Sequence, residues 1–162
     1  HAYPALRWEG ADEYGNPLPF EVLAASEFIG REVSAGRLRL KPLGNKHKVT
    51  YHDPCKLARH GGIVDEPRAA LKALEVDLRE TPSNGNMNWC CGGGAGVFVI
   101  NRAKDLRQGA FDIKIKEVNE TGADTVVMSC GSCRLNFMRG KEGADWDKHI
   151  KSLVAITAEN LA

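Results

Sequence analysis

Five cysteines carry most of the chemistry this sequence can do: Cys55, then the adjacent pair Cys90-Cys91 followed by Gly92, then Cys130-Gly131-Ser132-Cys133. A C-x-x-C pair can chelate one metal centre or bridge two neighbouring irons. Adjacent cysteines normally point apart, so using both Cys90 and Cys91 requires a bound group wide enough to be approached from two directions. Glycines 92 to 94 allow the backbone to come close to an inorganic core and offer N–H groups to its sulfurs. An odd count cannot be consumed by internal disulfides, and the clustering argues against a secreted disulfide scaffold. Thiolates serving metal or redox chemistry in a reducing compartment are the better reading, which places the chain in the cytoplasm.

Several uses of these thiols compete. A thioredoxin-like redox pair at Cys130 and Cys133 leaves three cysteines idle. A structural zinc takes four thiolates in tetrahedral geometry and leaves one over. Five clustered cysteines without any ligand role would be a coincidence. An iron–sulfur cluster takes thiolates as its natural ligands and gives the fifth cysteine a task. Zinc stays as the alternative.

The elements that must position these residues follow from periodicity and turn residues. The first eighteen positions mix Pro4, Gly10, Gly15, Asn16 and Pro17 and read as a connecting or surface-wrapping segment. From Phe20 to about Val33, apolar Val22, Ala25, Ile29 and Val33 recur at helical spacing, with Gly36 as the stop. The run from His47 to His52, ended by Asp53-Pro54, predicts a strand that delivers Cys55 at its carboxyl end. A helix follows, with Pro67 in its first turn and Leu71, Leu74 and Leu78 on one face. The Pro-, Asn- and Gly-rich stretch from Thr81 to Gly96 is a loop holding Cys90-Cys91. Asn101 to about Thr121 is the longest helical candidate, with stripes Ala103, Leu106, Ala110, Ile113 and Phe111, Ile115, Val118, ended by Gly122. Thr125-Val126-Val127-Met128 reads as a buried parallel strand, with Cys130 just beyond it and Cys133 in the first turn of the next helix. A last helix is expected over Asp147 to Leu161. This order predicts an α/β fold with a small, mostly parallel sheet flanked by helices. Sites in such sheets gather outside the carboxyl ends of the strands, so the topology brings the three cysteine groups together.

Charges nearly cancel, with 22 basic against 21 acidic residues, so no electrostatic footprint for nucleic acid is present. No run approaches the roughly 18 apolar residues of a membrane span. The start, His1-Ala2-Tyr3-Pro4, has neither a secretory pattern nor a Met, which suggests a piece of a longer polypeptide. Residues 1–46 read as an N-terminal connecting segment with one helix and residues 47–162 as the cysteine-bearing domain.

Written out, the cysteines form C-x34-C-C-G-x37-C-x-x-C, set in the words His52-Asp53-Pro54-Cys55, Trp89-Cys90-Cys91-Gly92-Gly93-Gly94 and Met128-Ser129-Cys130-Gly131-Ser132-Cys133. This resembles the cysteine-rich "CCG" domain of the HdrB and HdrD proteins of heterodisulfide reductase, found also in iron–sulfur subunits of glycolate and lactate oxidation and of sulfite reduction. The similarity covers roughly Lys48 to Ala162. With the preceding segment included, the chain most resembles the C-terminal part of the HdrD-like iron–sulfur electron-transfer protein associated with sulfite reductase. The resemblance implies that Cys55, Cys90, Cys91, Cys130 and Cys133 together bind a noncubane [4Fe–4S] cluster and are the catalytic, cofactor-binding and metal-ligating residues. It also implies an oxidoreductase acting on sulfur groups within a larger complex. Its substrate would be a disulfide or trisulfide on a small sulfur-carrier protein, and its electrons would come from a membrane-bound quinol-oxidising partner on the cytoplasmic face. Family members usually carry two such domains and ferredoxin-like clusters, and one copy is present here. Some copies hold zinc. The rival functions are a structural zinc-binding interaction module and an electron relay in a 2-hydroxy-acid oxidase complex.

Other residues have weaker claims. His52 and Asp53 flank Cys55 as tuning or proton-shuttling groups, although structural roles come first: a hydrogen-bonded strand-end histidine and an Asp-Pro turn. Trp89 reads as a shield for the cluster or a plain core aromatic. Arg59 and Arg134 read as surface residues by default, or as cations near the cluster. His60-Gly61-Gly62 reads as a flexible loop near the site mouth.

Overall fold

Side chains alternate along each short strand, and that alternation decides which helix layer each one meets. The computed structural model describes residues 3, 5–11, 15–144 and 146–162, and all their side chains except those of 95, 96, 143 and 144. His1, Ala2 and Pro4, part of the expected connecting segment, lie outside the described residues.

Strands β1 (Lys48–His52), β2 (Asp77–Leu78), β3 (Thr125–Met128) and β4 (His149–Ser152) form one sheet in the order β2-β1-β3-β4, and every pairing is parallel. Helices α1 (Ala25–Ser34), α2 (Asp65–Ala73), α3 (Lys104–Glu120), α4 (Gly131–Ala144) and α5 (Leu153–Glu159) cover it. Val49 and Tyr51 of β1 and Val127 of β3 join Ile29 of α1, Leu71 of α2, and Leu153 and Ile156 of α5 in one apolar cluster. Val126 and Met128, one residue out of step, join Phe111 and Val118 of α3 and Cys133 and Phe137 of α4 in the other. The fold is α/β as the sequence predicts, with a sheet that is wholly rather than mostly parallel.

The chain leaves β1 for β2 on one side and returns to β3 on the other. The connections therefore diverge above the carboxyl ends of β1 and β3, which opens a crevice between them.

Three expectations need correction. α1 begins at Ala25 rather than Phe20, and Phe20 and Val22 stay in irregular chain. α2 stops at Ala73 because Glu75 takes a positive φ of 54°, so Leu78 leaves the helical stripe and pairs with Val49 in β2. The last helix starts only at Leu153, since His149–Ser152 pairs with Thr125–Met128 as an edge strand. The longest helix begins with a 3-10 turn at Asn101–Ala103 before α3 proper and ends ahead of Gly122.

Candidate metal centre

Cys55 owes its position to the turn that ends β1. Asp53 is fully buried; its carboxylate accepts two hydrogen bonds from Arg68 at 2.9 Å each and one from the Gly85 N–H at 2.7 Å. The Asp53 carbonyl accepts from the Asn88 side chain, and Asn88 Oδ1 in turn accepts from Lys114 Nζ at 3.1 Å. Lys114 is buried on α3 and pairs with Glu117; burial pulls its ammonium below the ordinary lysine range against that pairing. Arg59 donates to the carbonyls of Asn86 and Asn88 at 2.9 and 2.7 Å. These bonds fasten the loop bearing Cys90-Cys91 to the end of β1.

A second tie comes from α4. Asn136 donates to the Cys91 carbonyl, which ties the loop to the helix carrying Cys133. A Cβ on Gly93 would lie 2.8 Å from the Asn136 Cβ, and one on Gly92, at φ +79°, would lie 2.6 Å from the Arg107 carbonyl oxygen. Only glycine lets the loop pass between α3 and α4 here. The amides of Gly92 and Gly93 each donate, at 3.4 Å, to the sulfurs of Cys90 and Cys91, as the glycine-rich run suggested.

All five thiols line one cavity of about 280 Å³ at the crevice. Cys91 and Cys133 are buried and the other three half-buried, and all five are free. Around that cavity the thiols neighbour one another in the order Cys55, Cys90, Cys91, Cys133 and Cys130, and each shifts the acidity of the next. The Cys133 thiol, helped by the amides of Cys133 and Ser132 and opposed by burial, draws Cys130 down to about 5. Cys133 is pushed up by its bonds to Cys130 and Cys91 and by burial. Cys90 is lowered, first by the bond with Cys55 and then by that with Cys91, while Cys55 is raised by the same contact and by burial. The contacts that lower Cys90 and Cys130 favour their thiolate forms, and thiolates are the metal-binding form. Five soft donors around one cavity fit an iron–sulfur group in number and kind.

His52 stands on the same wall. It is 1% exposed, its ring lies 5.1 Å from that of Phe137, and a ring nitrogen lies within 4.8 Å of the sulfurs of Cys91 and Cys133. Burial, with the charge of Lys114 adding to it, holds its pKa down at about 3, so the ring is neutral. Neither ring nitrogen has a partner among the described residues, an arrangement that costs roughly 1–3 kcal/mol for a buried donor. The expected hydrogen-bonded strand-end histidine is therefore not what the structure contains.

Trp89 fits neither sequence reading. It is 43% exposed, stands off the cavity wall, and donates from Nε1 to the Ala110 carbonyl at 3.2 Å. Arg134 is exposed on α4 away from the cavity, and Arg59 serves the loop. His60 and Gly61 do not line the cavity, although a Cβ on Gly61 would lie 3.2 Å from the Tyr3 ring. Tyr3 and Lys56 do line it, and no motif in the sequence points to either. Tyr3 is held there from outside the cysteine words: it donates to Glu27 at 3.0 Å and accepts from Arg7 at 2.6 Å. The sequence signal for Lys56 is its place directly after Cys55.

Comparison with known proteins agrees with the motif. The cysteine-rich domain family, CCG, matches residues 49–138, more than half of the chain. The chain is 33% identical over 148 residues to a protein of the dihydromethanophenazine:CoB–CoM heterodisulfide reductase of Methanosarcina mazei, covering 91% of this chain and 36% of that protein. It is 37% identical over 135 residues to a probable membrane-anchored ferredoxin of Chromohalobacter salexigens, covering 82% of this chain and 20% of that protein. It is 32% identical over 160 residues to the EtfAB:quinone oxidoreductase of Syntrophomonas wolfei, covering 93% and 21% respectively. The chain thus spans between a fifth and little more than a third of the length of these relatives. No helix among the described residues is long and apolar enough to cross a membrane. Motif, fold and relatives agree: the chain belongs to the CCG cysteine-rich domain family, among the iron–sulfur and oxidoreductase proteins related to heterodisulfide reductase.

Proposed function

We propose that Cys55, Cys90, Cys91, Cys130 and Cys133 jointly hold one noncubane [4Fe–4S] cluster, and that the domain uses it to reduce, or in reverse to form, a disulfide or trisulfide of a small sulfur-carrier protein. The observation that carries this reading is the convergence of five thiols from three distant segments on one cavity. When bound, such a cluster supplies iron to which a substrate sulfur can attach and a store for electrons that arrive singly. The chain's own residues supply the rest. The amides of Gly92 and Gly93 steady the Cys90 and Cys91 sulfurs, Asn136 fixes the loop, and Asp53 fixes the turn presenting Cys55. The half-buried Cys55, Cys90 and Cys130 give the cavity its accessible edge. The electron donor would be a quinol-oxidising partner at the cytoplasmic face of a membrane, with further clusters elsewhere in the same polypeptide. Two relatives support that setting by name, one a membrane-anchored ferredoxin and one a quinone oxidoreductase.

Iron, acid-labile sulfide and zinc measured on one sample of the chain purified without oxygen test this. About four irons and four sulfides per chain, with a paramagnetic state after thiol-specific oxidation, are expected. Replacing Cys90 or Cys91 with Ser should abolish or strongly alter that signal; a normal cluster in either variant rules out five-thiolate ligation. A second reading, a structural zinc in an interaction module, is favoured by the compact grouping of His52, Cys91 and Cys133. About one zinc and no iron would establish it instead.

A further inference from the structure

We propose that His52 is a direct contact of the bound group, donating a ring N–H to a sulfur on the Cys91–Cys133 side of the cavity. The inference rests on the iron–sulfur reading above and assigns to it a residue outside the five cysteines.

Three observations meet at this side chain. His52 closes β1, and strand alternation turns it away from Val49 and Tyr51, toward α4 and the cavity. It is almost wholly buried, yet neither Nδ1 nor Nε2 has a hydrogen-bond partner among the described residues. The remaining buried polar side-chain atoms without partners among the described residues are the hydroxyls of Ser26, Thr50 and Thr157, which stand off the cavity wall. His52 alone of this set faces the thiols.

A histidine kept for packing would not look like this. The Phe137 ring already offers it an aromatic partner, and a phenylalanine or leucine at position 52 would fill the space without burying two polar nitrogens. A neutral imidazole carries one donor and one acceptor, and neither finds a hydrogen-bond partner among the described residues. A sulfur-rich group seated among the five thiols supplies the acceptor that the folded chain lacks. Hydrogen bonds to the sulfurs of an iron–sulfur cluster raise its reduction potential, because they stabilise the more negative, reduced state. His52 therefore sets the potential from behind the buried pair, leaving the open edge at Cys55 and Cys130 free for substrate.

The test compares His52→Phe, His52→Gln and His52→Asn in the full chain, loaded and kept without oxygen. Iron content of the unaltered protein reports on the cluster reading itself; absence of iron there defeats that reading rather than the role of His52. At equal iron content, His52→Phe should lower the midpoint potential. One of the two amide variants, which place an N–H near the position of Nε2 or Nδ1, should recover at least half of the shift. In protein labelled with 15N-histidine, the oxidised cluster should show a weak nitrogen coupling that disappears in His52→Phe. An unchanged potential and an unchanged coupling in His52→Phe would overturn the proposal. So would a strong coupling of the kind produced by nitrogen bound directly to iron. Should His52→Phe fail to fold, the amide variants and the labelled unaltered protein decide the matter on the coupling alone.

Discussion

The two faces of the sheet are built from the same strands and do different work. On the face covered by α1, α2 and α5, Val49, Tyr51, Leu71, Leu74, Val127 and Leu153 are each no more than 1% exposed and close one hydrophobic cluster, whose one polar group among these six side chains, the Tyr51 hydroxyl, donates to Ser129 at 2.9 Å. On the face covered by α3 and α4, Cys91 and Cys133 sit inside the hydrophobic cluster itself, beside Phe111, Phe137 and Trp146. The first face is finished without any ligand. The second puts soft donors, and an imidazole without a partner among the described residues, where methyl groups would otherwise pack. A strand period of two lets β1 serve both, with Val49 and Tyr51 one way and His52 the other, so folding and chemistry separate at single-residue spacing.

That separation can be broken most forcefully from the finished side. Leu71→Ala removes a fully buried side chain from the apolar cluster and should lower stability by about 2–5 kcal/mol in chemical denaturation. The cluster spectrum of the molecules that remain folded should be unchanged; an altered spectrum would show that the two faces are not independent. Asp53→Ala probes the seam between them and comes next in size. It leaves the Arg68 charge facing an emptied site and frees the Gly85 N–H. Because Glu80 still pairs with Arg68, a loss of about 3 kcal/mol is expected, the lower end for a broken buried pair. Unlike Leu71→Ala, it should also loosen the Cys90-Cys91 loop, read as faster loss of iron to a chelator at equal folded fraction.

The legible parts of the fold and the hidden ones divide along similar lines. β1 and β3 announce themselves because their apolar and β-branched runs end in Asp53-Pro54 and Ser129-Cys130. β4 is hidden: His149-Ile150-Lys151-Ser152 holds a single apolar residue, and only pairing with β3 along the sheet edge makes it a strand. Leu78 keeps helical spacing with Leu71 and Leu74, so nothing local betrays that Glu75 turns the chain out of the helix. At the site, the five cysteines are legible because few other chemistries use that residue type at that spacing. Their supports are not. Asp53 meets Arg68 across 15 positions, Lys114 meets Asn88 across 26, and Asn136 meets Cys91 across 45. Polar residues of these kinds are common on surfaces, and only the tertiary fold turns them into clamps. Tyr3 belongs with them, since its place at the cavity depends on Glu27 and Arg7.

The smallest effect concerns that last support, which reaches the cavity from outside both faces. Burial alone would raise the Glu27 carboxyl, but hydrogen bonds from Arg7, Tyr3 and the Ala24 N–H outweigh it and hold the group below the usual 4.5. The folded state therefore binds this proton less readily than the unfolded chain, and the stabilisation is complete above about pH 4.5. It is lost as pH falls through the lower folded value. Hydrogen exchange of the Ala24 amide, which donates to Glu27 at 3.3 Å, should accelerate beyond its intrinsic acid dependence in that window. In Glu27→Gln the extra acid dependence should vanish, and Tyr3 should be loosened from the cavity wall at every pH. Neither change should shift the midpoint potential of a bound cluster, because the Arg7–Glu27–Tyr3 bonds touch none of the five thiols. A potential that followed Glu27 would mean that the N-terminal segment controls solvent at the cluster, and the division between the two faces would have to be redrawn to include it.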